Sequence, residues 1–159
     1  MTTELHPNVR RVADILAAHG ALGQVVVLAE PAPTAAAAAA QLGCEVGAIA
    51  NSLIFDADGK PLLVLTSGAH RADTAVLAVA AGVSVVRRAT PEFVREHTGQ
   101  PIGGVAPVGH PQPIRTFIDT WLARHEQVWA AGGHPHTVFP TNYDELIALT
   151  GATPVDVSA

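Results

Sequence analysis

Apolar positions along the chain switch between helical and strand periods, and the switches mark its elements. Val9, Val12, Ala13, Leu16 and Ala17 recur at helical spacing and His19-Gly20 supplies a stop, which predicts an amphipathic helix over about residues 7–19. Residues 24–29 form a β-branched run that reads as a strand. Thr34 then caps AAAAAAQLG, a helix by propensity that Gly43 ends. One face of that alanine stripe can pack closely on a sheet, so it reads as a core helix.

The middle of the chain reads as a hairpin: AIANSLIF and PLLVLTS flank DADGK, an Asp- and Gly-bearing turn between two apolar strands. Asp73 opens a helix to about Ala81, and VSVVRR is a short strand. TPEFVREH has Thr90 at the cap and Pro91 at the first helical position, a strong start signal. RTFIDTWL and QVWAAGG read as strands, and NYDELIALTG as a terminal helix from Asn142 to Gly151. Strands and helices alternate irregularly, so a mixed α/β sheet with helices around it fits better than a regular doubly wound one.

Composition narrows the class. A chain of 159 residues, 48% hydrophobic and 14% charged, can bury one core but not two, so one domain over residues 1–159 is expected. No run of about 18 apolar residues lacks a Gly, Pro or charge, which argues against a membrane span and a membrane partner. MTTELHPNVRR has no apolar core of the signal-peptide kind, leaving a cytoplasmic default. The lone Cys44 permits no internal disulfide, and its setting between Gly43 and Glu45 fits a small buried filler better than a nucleophile. A net charge of −5 speaks against a grip on long nucleic-acid backbone, DNA included, though not against contact with a nucleic-acid end.

Candidate chemistry concentrates in three Gly- and His-bearing stretches. PIGGVAPVGHP (residues 101–111) and TSGAHRAD (residues 66–73) put glycines where a ligand could approach backbone N–H groups, which can hold a carbonyl or its tetrahedral anion. By spacing alone neither is a GxGxxG or a P-loop, and ordinary turns would look the same. Ser67, His70 and Asp73 could be drawn as a triad, but the GxSxG elbow is missing and their spacing would spread the side chains. GGHPHTVF places His134 and His136 at H-x-H spacing. Pro135 breaks the strand and no Asp, Glu or Cys completes a metal site, so the pair reads as pocket-lining polar groups without metal.

Taken in order, GCEVGAIANSLIF, LLVLTSGAHRAD, TPEFVREHTGQPIGGVAPVGHPQPI and WAAGGHPHTVFPTNYDELIALTG resemble the YbaK/EbsC-type domain, over about residues 44–151. That family comprises trans-editing aminoacyl-tRNA deacylases related to the editing insertion of bacterial prolyl-tRNA synthetases. The resemblance implies a mixed, barrel-like sheet surrounded by helices and hydrolysis of a mischarged aminoacyl ester without a cofactor. The implied partner is the 3′ acceptor end of an aminoacyl-tRNA. The family's G-x-x-x-P loop falls on Gly103, Gly104, Val105, Ala106 and Pro107, where bare backbone would position water and stabilise the oxyanion. Ser67, Gly68, His70 and Arg71, with Gly109, His134 and His136, would form other walls around the amino acid and terminal adenosine.

One position departs from the family pattern. Many members carry a lysine where this chain has Asn51. An amide cannot supply a cation, but it can donate a hydrogen bond to an ester carbonyl or a ribose hydroxyl. Two functions therefore stand side by side: a deacylase for small mischarged amino acids with Asn51, Gly103 and Gly104 at the reaction, and a non-catalytic module that recognises a tRNA end or an amino-acid derivative. Arg71, Arg87, Arg88 and Arg115 are possible phosphate contacts or plain surface charges.

Overall fold

In chain order the elements are α1 (Pro7–Ala18), β1 (Val26–Val27), α2 (Ala35–Leu42), β2 (Ile49–Ala57), β3 (Lys60–Ser67), α3 (Thr74–Ala81), β4 (Val86–Arg88), α4 (Pro91–Thr98), β5 (Arg115–Asp119), β6 (Val128–Ala131), β7 (Thr137–Thr141), α5 (Tyr143–Thr150) and β8 (Thr153–Val155). Short 3-10 turns at Val46–Ala48 and Thr120–Arg124 complete the set. The computed structural model describes residues 6–21, 23–32, 34–101 and 105–158.

The strands form one mixed sheet in the order β1-β7-β6-β2-β3-β5-β8, with β4 added to β2. β2 and β3 make the predicted hairpin, antiparallel from Ala50↔Ser67 to Ala57↔Lys60. Its turn takes positive φ at Asp58 (51°) and Gly59 (88°), the backbone that a tight hairpin needs and that Asp-Gly adopts readily. The Asp58 carboxylate also accepts from the Ser84 and Val85 amides, which brings the chain back to start β4.

Both faces of the sheet are covered, which is why β3 reads as a continuous apolar run rather than an alternation. Leu63 and Leu65 point into a core with Ile54, Ile118 and Phe139, capped by Val12 and Leu16 of α1, Val94 of α4 and Leu146 of α5. Leu62 and Val64 point the other way, onto Phe55, Phe117 and Leu77 of α3. α2 lays Ala38 and Ala39 on Ile49, so the alanine helix is a core helix, held by the Thr34 cap and a left-handed Gly43.

Three expectations need correction. The run over residues 24–29 yields only Val26–Val27, an edge strand with both side chains exposed. RTFIDTWL is a strand only to Asp119, because the Asp119 carboxylate accepts from the Trp121 amide and turns the chain into a 3-10 segment. The helix ending at Gly151 is not terminal: β8 follows and lies parallel to β5, with Pro154 tolerated because β8 is an edge.

Candidate active site

The two edges of β2 are used unequally, and the site grows from that. One edge pairs with β3 over its whole length, whereas the other meets β6 only at Ile49 and Ala50 and β4 only at Phe55 to Ala57. Residues 51–54 between them have no strand partner on that edge among the described residues. The Ile49 carbonyl accepts from the Gly68 amide at 2.8 Å, so odd-numbered residues of β2 turn their backbone toward β3. By the same alternation Ser52 and Ile54 turn their N–H and C=O groups to the gap.

A cleft of about 780 Å³ opens along this gap, within the size range of small-molecule sites. Asn51 lines it together with its cross-strand neighbour Thr66. Thr66 is 1% exposed, yet its Oγ1 has no hydrogen-bond partner among the described residues, and neither has the Ser52 hydroxyl on the opposite face of the strand. Thr34 at the cap of α2 and Ala35 in its first turn, Arg88 of β4, Val94 of α4, Val105, and His134 and Pro135 of the β6–β7 turn are among its other walls.

His70 forms the best-ordered corner. After β3 the chain turns at Gly68, where any side chain would run into the Val46 carbonyl and lie 2.8 Å from Ala35 Cβ. The His70 amide then donates to the Ser67 carbonyl at 2.9 Å, and the His70 Nδ1 reaches Asp119 Oδ2 at 2.9 Å. Asp119 is wholly buried, and its carboxyl group also accepts from the Ser67 amide (3.0 Å) and the Trp121 amide (2.9 Å). The imidazole packs on the Trp121 ring at 4.4 Å, and the Arg124 guanidinium lies 3.1 Å over the same indole. Asp73 is elsewhere: its carboxylate accepts from the Ala75 and Val76 amides at the start of α3, so no Ser67–His70–Asp73 triad forms.

Of the residues singled out from sequence, Asn51, His70, Arg71 and His134 line the cleft. Ser67, Gly68, Pro107, Gly109 and His136 are not among its walls, and Gly103 and Gly104 lie outside the described residues. The Ser67 hydroxyl is committed to the Gly47 carbonyl at 2.7 Å. Pro107 is buried next to core residues Ala106 and Val108. Gly109 takes φ +90° and faces α1, whose Arg11 donates to its carbonyl. His136 supports His134 from behind, donating its amide to His134 Nδ1, with the two rings stacked at 5.5 Å. Burial first, then the neighbouring His6 and His136, hold the His134 imidazole below its ordinary titration range.

Other groups settle as scaffold. Arg115 donates to the Ala81 carbonyl and sits over Phe117, and Arg87 stands 4.0 Å from Asp56, whereas Arg71 and Arg88 remain exposed at the cleft. Burial pushes the Cys44 thiol up, away from the reactive thiolate. Asp119, Thr66 and Gln100 were not singled out from sequence. Gln100 is 1% exposed and brackets the glycine loop: its Oε1 accepts from the Ala106 amide at 2.7 Å and its Nε2 donates to the Val108 carbonyl. An Asp closing an apolar strand and a Gln directly before the PIGG segment were the signals available.

A mixed sheet wrapped by helices, with a cleft along an interrupted strand edge, defines a class of small mixed α/β domains. The model of the aminoacyl-tRNA editing domain family matches residues 29–149, and the chain belongs to that family. Among solved structures it is similar to a candidate trans-editing enzyme for prolyl tRNA synthetase, with a TM-score of 0.91, 42% identity, and coverage of 98% of this chain and 99% of that one. Proline–tRNA ligase of Nitratidesulfovibrio vulgaris is 33% identical over 93 residues, which is 58% of this chain but 16% of the ligase, so the chain spans only a small part of such ligases. The Bacillus subtilis protein YwhH is 30% identical over 110 residues, 69% of each chain.

Proposed function

We propose that the protein is a trans-editing deacylase that hydrolyses the ester linking a small, mischarged amino acid to the 3′ end of a tRNA. The observation that carries this reading is the pair of buried hydroxyls beside Asn51, those of Thr66 and Ser52, which line the cleft without a hydrogen-bond partner among the described residues in a chain of the editing family. Burying a hydroxyl without a hydrogen bond costs roughly 1–3 kcal/mol, a cost that a bound ester or ribose would relieve. In this reading the Asn51 amide donates to the ester carbonyl or a ribose hydroxyl, and the Gly103-Gly104 backbone supplies the oxyanion donors. Arg71 and Arg88, exposed at the cleft, suit phosphates of the acceptor end better than Arg115, whose guanidinium is occupied.

The chemistry asked of the chain is modest, because an activated ester needs a positioned water and a stabilised oxyanion more than a strong nucleophile. No metal or organic cofactor enters this reading, and such work belongs to the cytoplasm where tRNA is charged. The replacement of the family lysine by Asn51 favours a second reading, a binding module that keeps the cleft without turnover. One experiment separates them: the purified protein is assayed against a panel of tRNAs carrying small, mismatched amino acids, with and without EDTA. Deacylation above the buffer rate, unaffected by EDTA, is expected. Saturable binding of the same tRNAs with no deacylation would establish the module instead.

A further inference from the structure

We infer that His70 is the general base of this cleft, with Asp119 as the residue that positions it, an assignment that rests on the deacylase reading above. The geometry is that of an oriented imidazole. A carboxyl group that is wholly buried and already accepts two backbone amides sits 2.9 Å from Nδ1. With an acceptor at that distance, Nδ1 carries the proton of the neutral ring, and Nε2 keeps its lone pair. Nε2 has no hydrogen-bond partner among the described residues, and the side chain lines the cleft. The ring cannot swing freely, since it is packed on Trp121, itself clamped by Arg124. A group held in one tautomer and one orientation at the wall of a site is built to take a proton at a fixed place.

The step balances without further reagents. Nε2 removes a proton from water as the water oxygen bonds to the ester carbonyl carbon. The tetrahedral intermediate then collapses, the bond from carbon to the ribose oxygen breaks, and the imidazolium returns its proton to that oxygen. The products are the free amino acid, whose carboxyl proton passes to solvent, and a tRNA with its hydroxyl restored. The ionisable groups surrounding His70 are Asp119 in contact, Arg71 on the same loop, Arg124 over Trp121, Tyr143 close enough to Asp119 for its phenol to be pushed up in part by it, and the His125–Glu45 pair on the adjoining 3-10 turns. None of them occupies Nε2.

His70→Asn tests the assignment, because the shorter amide can still donate toward Asp119 while offering no base. With tRNA mischarged with alanine as substrate, the variant is expected to keep the wild-type melting temperature and KM and to lose at least about a hundredfold in kcat, the low end for a general base. The wild-type rate should rise with pH as one group loses its proton, and that limb should be absent from the variant, a change no merely structural role would cause. Asp119→Asn should retain part of the fold and lower kcat without abolishing the limb. A His70→Asn enzyme that turns over at the wild-type rate, or keeps the same pH limb, overturns the assignment while leaving the deacylase reading intact. A wild-type protein inactive on the whole tRNA panel overturns both.

Discussion

The cleft has two corners finished to different degrees. At His70 the polar groups other than Nε2 are bonded within the protein: Asp119 takes the Ser67 and Trp121 amides and the imidazole Nδ1, and the Ser67 hydroxyl is spent on Gly47. At Asn51 the reverse holds. Thr66 and Ser52 hydroxyls have no partners among the described residues, and the edge of β2 over residues 51–54 has no strand beside it there. Bonds already made resist change and fix geometry before a ligand arrives, which is what preorganised chemistry needs. Bonds left unmade cost stability and are recovered only on binding, which is what recognition needs. On the proposed reading this is a division of labour, in which the His70 corner would act on the substrate and the Asn51 corner would hold and identify it.

The comparison can be broken most directly at Asp119. Asp119→Ala strips partners from two backbone amides and an imidazole inside the protein, each loss costing about 1–3 kcal/mol. A fall in melting temperature of roughly 6–12 °C is expected, from about 3 kcal/mol in a chain of this size. A fall under about 2 °C would mean that the corner is not closed by these bonds. Asn51→Ala should behave oppositely, leaving the melting temperature unchanged. Its kcat/KM for deacylation should drop by roughly 5- to 150-fold, the worth of one hydrogen bond to substrate of about 1–3 kcal/mol. Unchanged kinetics would turn Asn51 into an ordinary strand residue and remove the recognition half of the contrast.

Thr66→Val sharpens the same contrast at lower amplitude. Val keeps the β-branched shape in β3 and removes the unpartnered hydroxyl, so the free protein should gain up to about 1 kcal/mol, roughly 2–4 °C in melting temperature. Substrate affinity should weaken at the same time. A loss of stability instead would show that the hydroxyl is already bonded inside the protein, and the Asn51 corner would then be as closed as its neighbour.

How much of this was legible in sequence follows the same divide between local and distant causes. Thr34, Asp73, Thr90 and Asn142 each cap the helix expected of them, because capping is decided within three residues. The Asp58-Gly59 turn likewise fixed the β2–β3 hairpin. The His70–Asp119 pair joins residues 49 apart, brought together by the parallel pairing of β3 with β5. No periodicity announces such a pair. Local reasoning could set only Asp73, the nearest acid, beside His70 and discounted that grouping; Asp73 caps α3, as its place before the helix predicts. Thr66 read as one more β-branched strand residue, since an unpartnered hydroxyl is visible only once its neighbours are placed. Edge strands were the weakest reading: β1 is shorter than its β-branched run, and β8 follows a helix that looked terminal.

The smallest expected effect concerns His110, on the closed side of the molecule, where its Nε2 meets the Ala106 carbonyl at 2.9 Å. A carbonyl only accepts, so the neutral ring donates from Nε2 and helps Gln100 hold the chain after the glycine loop. Burial lowers the His110 pKa below the ordinary value of 6.5, with the carbonyl bond pulling weakly the other way. The folded-state pKa is thus depressed relative to the unfolded chain, and the folded state disfavours the charged ring. The stability this contributes is present above pH 6.5 and is lost as pH falls through the folded value. Melting temperature should therefore decline between about pH 7 and about pH 5.5, before most carboxylates titrate. His110→Gln, which can still donate to Ala106 but cannot ionise, should flatten that decline. His134→Gln should flatten it less, because solvent screens that more open ring even though its titration is lowered in the same direction. An identical slope in wild type and His110→Gln would show that the imidazole charges without cost, and that the segment after the glycine loop is looser than the Gln100 and His110 bonds imply.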